Sequence, residues 1–343
     1  MMVAMSEMRA VATVALRRKE AKQRTLSTRL VMLGAILGAL ILLTVYLLVT
    51  WQLPGTGPAP GASASQRLER LEAPVGSCLD WTRPDSSDIK KIDCAESHLF
   101  EITAVIDLNG KYPKGAPYPS QELWRQINEE TCKPKSKDYM GGKLDPFGKF
   151  SVTAIRPSQE TWTEDDDRAM RCGLQVVGRS QMLYPSKKSA KNNDQSNVYP
   201  IGTCLGIDGK TSWDPVDCAK PHAYEIVFVV DLGKRFTEGP PSPTEQATYL
   251  ADACAKPLEE YGATAEVLKA KNLLPVPDTI KEDSWAAGSR LANCKIAAKL
   301  PGDPSPGLAP ISGSVKGSVA VGQQQAPPAP KVDPGTPAKP IAG

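Results

Sequence analysis

The residues in this chain that could do chemistry are mainly cysteines and histidines. Eight cysteines and two histidines occur among 343 residues, and they follow the same order in two segments. Such residues can form disulfides, bind zinc through thiolate and imidazole, or make a Cys–His nucleophilic pair. The first segment carries Cys78, Cys94, His98, Cys132 and Cys172, and the second carries Cys204, Cys218, His222, Cys254 and Cys294.

Disulfides are the chemistry that we expect for the cysteines. All of them follow an apolar segment that predicts export, and an oxidising compartment permits disulfides. Four cysteines per segment allow three pairings, among which the sequence alone does not decide. We expect the first two cysteines to close a short loop, and the third, on a helix, to meet the fourth, at the start of a strand. The expected bonds are Cys78–Cys94, Cys132–Cys172, Cys204–Cys218 and Cys254–Cys294.

Zinc binding and catalysis are the two alternatives for these residues. The Cys-x3-His spacing of both segments suits zinc, with Cys78 or Cys204 as a third ligand. Cysteines in disulfides cannot bind zinc as thiolates, so we predict no metal and no cofactor. His98 and His222 each begin a strand on its apolar face, which favours a structural role over catalysis.

Acidic, aromatic and arginine residues also occupy matching positions. Glu101 and Glu225 fall on the strand face opposite the histidines. In each segment a tryptophan and an arginine precede the last cysteine. The tryptophan could pack over a disulfide or offer an aromatic platform for a sugar or peptide, and we favour packing. The acidic run at 164–167 has no counterpart in the second segment, which indicates a solvated loop rather than a calcium site. The tryptophan–arginine pairs are Trp162 with Arg168 and Trp285 with Arg290.

The two segments match beyond these residues. Val75-Gly76-Ser77-Cys78 corresponds to Ile201-Gly202-Thr203-Cys204, and the pattern D-C-A-x-x-H begins at both Asp93 and Asp217. Because every cysteine and histidine falls into a matched position, we interpret the chain as carrying one domain twice.

The elements that position these residues follow from residue patterns. Residues 222–232 place β-branched and aromatic side chains at alternate positions, which predicts a half-buried strand. Ser242-Pro243-Thr244-Glu245 is a capping box that predicts a helix, and Ser120 opens the equivalent helix, which we expect to end near Cys132. Further strands are predicted at 98–108, 150–155, 172–177 and 294–298. The expected fold class is α+β, with two tandem small disulfide-bonded domains, each of strands plus one main helix, after one transmembrane helix.

An uncharged apolar segment from Leu30 to Trp51 predicts that transmembrane helix, because it is long enough to cross about 30 Å of hydrocarbon. Residues 1–29 hold seven Arg or Lys and two Glu, so the N-terminus is predicted to be cytoplasmic and the rest extracytoplasmic. A signal peptide cleaved near residues 62–64 fits less well, since signal peptides have shorter apolar cores. We predict a single-pass signal anchor in the cell membrane, in which Gly34 and Gly38 could support a dimer.

Composition predicts the other boundaries. The net charge of +3 comes from the residues before the membrane segment, so no basic face for nucleic acid is expected beyond it. The tail is rich in Pro and Ala and has too few apolar residues to fold. The predicted regions are a cytoplasmic tail 1–29, a transmembrane helix 30–51, a flexible linker 52–70, a first domain 71–183, a linker 184–198, a second domain 199–300 and a disordered tail 301–343.

The motifs resemble those of a known family. V/I-G-S/T-C, then D-C-x-x-x-H-x-x-E, a helical cysteine, and W followed by R-x3-C resemble the septum-formation domain of actinobacterial envelope proteins. The resemblance covers about residues 75–180 and 200–300, one copy in each segment. The second copy fits better, since it has Pro221 and Gly288 where the first has Ser97 and acidic residues. The resemblance implies a membrane anchor and a role in the division septum, and it implies no catalytic chemistry.

The expected function is that of a non-enzymatic envelope protein that contacts cell-wall or division proteins outside the membrane. No G-x-S-x-G, H-E-x-x-H or phosphate-binding glycine loop is present in the sequence. One alternative is a sensor or ligand-binding module for wall fragments or peptides, which a cleft lined by Trp162 or Trp285 would favour. Another is an envelope enzyme that uses His98 or His222.

Overall fold

The computed structural model describes residues 68, 72–209, 211–300 and 307–322. The predicted cytoplasmic tail, transmembrane helix and most of the first linker lie outside these residues. Within the described ranges, no helix has the length and apolar character needed to cross a membrane. The described residues belong to one compact unit.

The first half of this unit, residues 72–200, contains an antiparallel sheet in the order β2-β1-β3-β5-β4, with β6 paired to β5. Its main helix, which runs from Gln121 to Tyr139 through a π-helical turn, packs on this sheet. The strands are β1 (Cys78–Asp80), β2 (Lys90–Ile92), β3 (Phe100–Asp107), β4 (Phe150–Ile155), β5 (Ala169–Val177) and β6 (Leu183–Tyr184). The helices are α1 (Gln121–Ile127), a π-helical turn (Asn128–Cys132), α2 (Lys133–Tyr139) and α3 (Gln159–Glu164).

The second half, residues 201–322, contains an antiparallel sheet in the order β10-β11-β9-β13-β14, with β7 paired to β8 and β9 and β12 paired to β11. The strands are β7 (Cys204–Asp208), β8 (Thr211–Val216), β9 (His222–Asp231), β10 (Leu274–Pro275), β11 (Leu291–Lys299), β12 (Leu308–Ala309), β13 (Ile311–Gly313) and β14 (Val319–Val321). The helices are α4 (Pro243–Tyr261), α5 (Ala265–Ala270) and α6 (Glu282–Ala286). The α+β class is thus as predicted.

The main helices begin where the capping residues predict. Ser242 caps α4 in a full capping box with Glu245, and Gly262 ends the helix in the left-handed conformation at φ 97°. Ser120 caps α1 by accepting a hydrogen bond from the Leu123 amide. The expected end of this helix near Cys132 is wrong, because α1, the π-helical turn and α2 follow one another without a break to Tyr139.

The eight cysteines pair as the sequence predicted, as Cys78–Cys94, Cys132–Cys172, Cys204–Cys218 and Cys254–Cys294. In each half one bond joins the main helix to a strand of the sheet. The Cα atoms of these helix–strand bonds lie 5.1 Å apart for Cys132–Cys172 and 5.8 Å apart for Cys254–Cys294. All four sulfurs of these two bonds lie in hydrophobic core clusters, so each bond fixes the helix over the centre of the sheet.

The central strands differ from the half-buried strands that the alternating pattern predicted. In β9, Ala223, Glu225 and Val227 are buried although they lie on the face opposite His222, while Phe228 on the supposed apolar face is partly exposed. The pattern misled because other parts of the chain cover this strand on both faces.

Two segments predicted to lie outside the domains are packed against them. The linker 184–198 contributes Tyr184 of β6 and the buried residues Ala190, Gln195 and Ser196. The tail prediction is wrong for residues 308–321, which form β12, β13 and β14 and pair with β11 and β9. Residues 301–306 and 323–343 lie outside the described ranges.

The disulfides give a first prediction. In the chain-entropy account, a bond stabilises the fold more when it closes a longer loop, and the separations are 40 residues for Cys254–Cys294 and 14 for Cys204–Cys218. Replacing both Cys254 and Cys294 by alanine should lower the free energy of unfolding by about 4 kcal/mol. Replacing both Cys204 and Cys218 should lower it by about 3 kcal/mol. Urea denaturation followed by tryptophan fluorescence measures both, and a larger loss for the shorter loop would contradict this account.

Candidate functional site

The two glutamates singled out in the sequence are buried carboxylates that anchor returning chain. Glu101 accepts hydrogen bonds from the Tyr139 hydroxyl at 2.5 Å, the Ser189 hydroxyl at 2.7 Å and the Ala190 amide at 2.6 Å. Glu101 is 2% exposed. Three donors therefore compensate the carboxylate for the water that it loses on burial.

Glu225 is held in the same way in the second half. It accepts from the Tyr261 hydroxyl at 2.8 Å, the Ser314 hydroxyl at 2.5 Å and the Val315 amide at 2.9 Å. Burial, followed by the bond to the carboxylate, raises the pKa of the Tyr261 hydroxyl well above its usual value, and the same holds for Tyr139. Both tyrosines therefore remain protonated donors at neutral pH.

We call residues 186–191 and 311–316, which return to these carboxylates, the straps. Lys191 of the first strap lies over the Tyr139 ring at 3.8 Å, and Lys316 of the second lies over the Tyr261 ring at 3.9 Å. The strap anchors, Ser189-Ala190-Lys191 and Ser314-Val315-Lys316, were missed in the sequence analysis. The recurrence of Ser-x-Lys at similar distances after each glutamate is the signal that could have found them.

The histidines are buried beside the straps. His98 Nδ1 lies 3.0 Å from the Glu96 carbonyl and Nε2 lies 3.1 Å from the Ser186 hydroxyl. A carbonyl can only accept, so Nδ1 carries a proton, and in the neutral ring Nε2 accepts from the Ser186 hydroxyl. His222 Nδ1 makes the same contact, but its Nε2 has no hydrogen-bond partner among the described residues. Ile311 pairs with His222 where Ser186 pairs with His98, which explains the difference.

These surroundings offer neither a thiolate nor a free ligand set. Cys78, His98 and Glu101 place ligand atoms within 4.8 Å of one another, a spacing that suits a metal. The sulfur of Cys78 is bonded to Cys94, and Glu101 already accepts three hydrogen bonds. The zinc alternative is therefore inconsistent with this structure. Within the described ranges no cysteine is free to act as a nucleophile.

The tryptophan–arginine pairs hold loops. Trp162 and Trp285 are buried, and the guanidinium carbons of Arg168 and Arg290 lie 3.8 Å and 4.0 Å from their ring centroids. Each arginine also donates to the backbone carbonyl of its tryptophan, at 2.8 Å and 2.6 Å. Each tryptophan shares a core cluster with a helix–strand disulfide, as the packing interpretation expects. These tryptophans do not line an exposed cleft.

The acidic run at 164–167 lies at the end of α3. Asp166 has a positive φ of 59° and forms an ion pair with Arg168 at 3.0 Å, so it belongs to the packing around Trp162.

The two halves are joined by buried polar contacts. Asp145 of the first half accepts hydrogen bonds from the Ser284 hydroxyl at 2.9 Å and the Ser289 hydroxyl at 2.6 Å. Gln195 donates to the Ala287 carbonyl at 3.1 Å. Asp214 of the second half accepts from backbone amides of the first half, at 2.7 Å and 2.8 Å, and from the Ser180 hydroxyl.

A cavity of about 760 Å³ lies where the halves meet, and we call it the junction cavity. Burial, with the Asp214 charge, raises the pKa of Tyr184 and Tyr199, and burial lowers the pKa of Lys149. The volume of the junction cavity is that of a typical ligand site. The aromatic and basic lining residues are Tyr184, Tyr199, Trp213, Lys149, Arg179 and Lys187. None of them was singled out in the sequence, because they come together only when the halves pack. Aromatic faces beside cations suit binding. Ser186, whose hydroxyl hydrogen-bonds to His98, also lines the cavity.

The chain matches a known family over the region that contains both sheets. The family is described as Septum formation, and the match covers residues 75–294. The chain belongs to this family. The match extends across both halves as one range, so it does not confirm the expectation of one copy in each segment.

Curated relatives of this septum-formation family member occur in two strains of Mycobacterium tuberculosis, where each is named an uncharacterized membrane protein. Each is 36% identical over 285 residues, which cover 80% of this chain and 61% of the relative. The chain thus spans about three fifths of the length of these relatives. No solved structure shows a significant match.

The tyrosine–glutamate contacts give a second prediction for this family member. Tyr261→Phe removes one donor from the buried Glu225 carboxylate and should lower the free energy of unfolding by about 1.5–3 kcal/mol. Tyr249→Phe is the matched control, since the Tyr249 hydroxyl has no hydrogen bond within the described ranges, and its change should stay below about 0.5 kcal/mol. Equal losses in urea denaturation would contradict the anchoring role.

Asp214 gives a third prediction. Burial raises its pKa, but hydrogen bonds from Ser180 and Arg179 outweigh burial and hold the pKa below the ordinary 3.8. A carboxyl with a lowered folded-state pKa stabilises the fold above its unfolded pKa and loses this contribution as pH falls through the folded pKa. Asp214→Asn should therefore be less stable than the wild type at about pH 7, and the difference should shrink towards about pH 3. The urea midpoints of both proteins measure this difference, and an equal difference at both pH values would contradict the linkage.

Proposed function

We propose that this chain is a membrane-anchored, extracytoplasmic, non-enzymatic envelope protein that acts in septum formation. In this proposal it binds a division or cell-wall protein at the junction cavity. The predicted helix at 30–51 anchors it with its N-terminus in the cytoplasm, and Gly34 and Gly38 support close contact between two such helices.

Family membership and the disulfides support the setting. The curated relatives are named membrane proteins, and the family is described by septum formation. All eight cysteines are oxidised in pairs, which suits a compartment outside the cytoplasm.

The observation that carries the non-enzymatic role is the use of the reactive side chains. The glutamates, histidines and tryptophans are buried. The contacts of the glutamates and of the tryptophan–arginine pairs occur in both halves. This correspondence also supports the interpretation of an internal duplication. Side chains that do the same structural work twice are better explained as scaffold than as a catalytic centre.

The junction cavity supports binding as the activity. It presents aromatic rings and cations from both halves, so it exists only in the assembled unit. A volume of about 760 Å³ also favours the alternative that the cavity takes a small wall fragment or peptide, with the protein acting as a sensor.

A fourth prediction tests this proposal. A fluorescently tagged chain should concentrate at division septa, and the double variant Tyr199→Ala/Trp213→Ala should lose this enrichment while its membrane level stays unchanged. Both residues line the cavity and neither is fully buried, so the fold should survive. Val105→Ala, at an apolar residue that is 48% exposed and outside the cavity, is the control and should localise normally.

The disulfide pattern of each variant, checked by non-reducing peptide mapping, reports on folding. Septal enrichment that persists in the correctly folded cavity variant would contradict the role of the cavity. An even membrane signal for the wild type, with normal septa after gene deletion, would contradict the role in division itself.

A further inference from the structure

A second cavity, of about 360 Å³, lies in the first half between the main helix and β4. Its lining residues are separate from those of the junction cavity. We call it the α1–β4 cleft. From the helix it is lined by Gln121, Trp124, Arg125 and Asn128, and opposite them by Thr153 and Arg156.

Two buried polar atoms of this cleft have no partner. The Trp124 indole N–H, on a residue that is 5% exposed, finds no acceptor among the described residues, and the Asn128 side-chain oxygen finds no donor. The Asn128 amide nitrogen donates to the Val152 carbonyl at 3.3 Å, which fixes the free oxygen in place. Buried polar groups without partners are rare and destabilising, and both of these residues line one cavity. This coincidence indicates a ligand that supplies one acceptor and one donor.

The Arg156 guanidinium is a third group of the α1–β4 cleft that could contact a ligand. The guanidinium carbon of Arg156 lies 5.2 Å from the Trp124 ring centroid, and Arg156 has no ion pair with any described carboxylate. Arg125, in contrast, is paired with Glu122. The half-buried, unpaired guanidinium indicates that the acceptor is an anion.

The second half shows that packing does not require these groups. Gln246 stands four residues after its capping serine, as Trp124 does, and its amide is fully engaged with the Pro241 and Ile280 carbonyls and the Ile280 amide. Leu250, at the position that corresponds to Asn128, is a core residue.

The helix itself also differs between the halves. The π-helical turn begins at Asn128, whereas α4 is a continuous α-helix. Local π-helical turns occur frequently at functional sites. The unpaired groups and the changed helix thus coincide at one place in one half.

We propose that the α1–β4 cleft binds the carboxyl-terminal end of a peptide. The carboxylate accepts from the Trp124 indole N–H and pairs with Arg156, and the neighbouring peptide N–H donates to the Asn128 oxygen. A cavity of this volume holds a ligand of about two residues. The ligand comes either from a short free peptide or from the C-terminus of a protein, since both present this chemistry.

The test uses the full chain in detergent micelles with ¹⁵N-labelled tryptophan, so that six indole signals are observed. The signal that disappears in Trp124→Phe is that of Trp124, and the remaining signals report whether the fold is kept. The probe is the dipeptide N-acetyl-alanyl-alanine, compared with its C-terminal amide. The acid should shift the Trp124 signal with saturation, and the amide should bind at least about tenfold more weakly, because its terminus lacks the charge.

Variants locate the binding within the α1–β4 cleft. Arg156→Gln and Asn128→Leu should each weaken binding of the acid, the former by at least about tenfold. Arg179→Gln, in the junction cavity, should leave binding unchanged. An octapeptide with the same C-terminal pair that binds more tightly than the dipeptide would identify a protein terminus as the source, and equal affinity would identify a short peptide.

Two results would overturn the proposal. One is a Trp124 signal that does not move at millimolar dipeptide. The other is equal binding of the acid and the amide, or of wild type and Arg156→Gln. Loss of septal localisation in the junction-cavity variant has no bearing on these outcomes, so the two proposals can fail separately.

Discussion

The packing within each half depends on the hydrogen bonds that a buried carboxylate on the central strand of the sheet accepts. Glu101 and Glu225 each bind the end of the main helix, through a tyrosine, and a strap that follows the last long strand of the sheet. A carboxylate without these donors would be strongly disfavoured in the core, so strand, helix end and strap form together. This requirement explains why chain that reads as linker or tail is packed.

The helix–strand disulfide complements this contact near the middle of each helix. Cys132 and Cys254 hold the helix over the sheet, while Tyr139 and Tyr261 hold its last turn. Two small sheets with modest cores gain stability from such covalent bonds. The polar contacts of Asp145 and Asp214 then join the halves, so the region behaves as one compact unit.

This arrangement changes where function is to be sought. The residue types that first suggest chemistry are inside, where they stabilise the fold. Accessible features include the junction cavity, which both halves build, and the α1–β4 cleft, which the first half builds alone. The second segment matches the family's residue pattern better, whereas the unpaired polar groups of the α1–β4 cleft lie in the first segment.

The sequence by itself determined the α+β class and the helix starts at Ser120 and Ser242, because capping and residue spacing are local properties of the chain. It left three pairings open for the cysteines of each half, and the structure decided among them. Only the tertiary structure decided that β9 is covered on both faces, that residues 308–321 contain three strands, and that Trp213 and Tyr199 meet in one cavity. Those outcomes depend on contacts between residues far apart in the sequence. A strap with few apolar residues looks unstructured until a buried carboxylate elsewhere in the chain supplies the partner for its amide and hydroxyl groups.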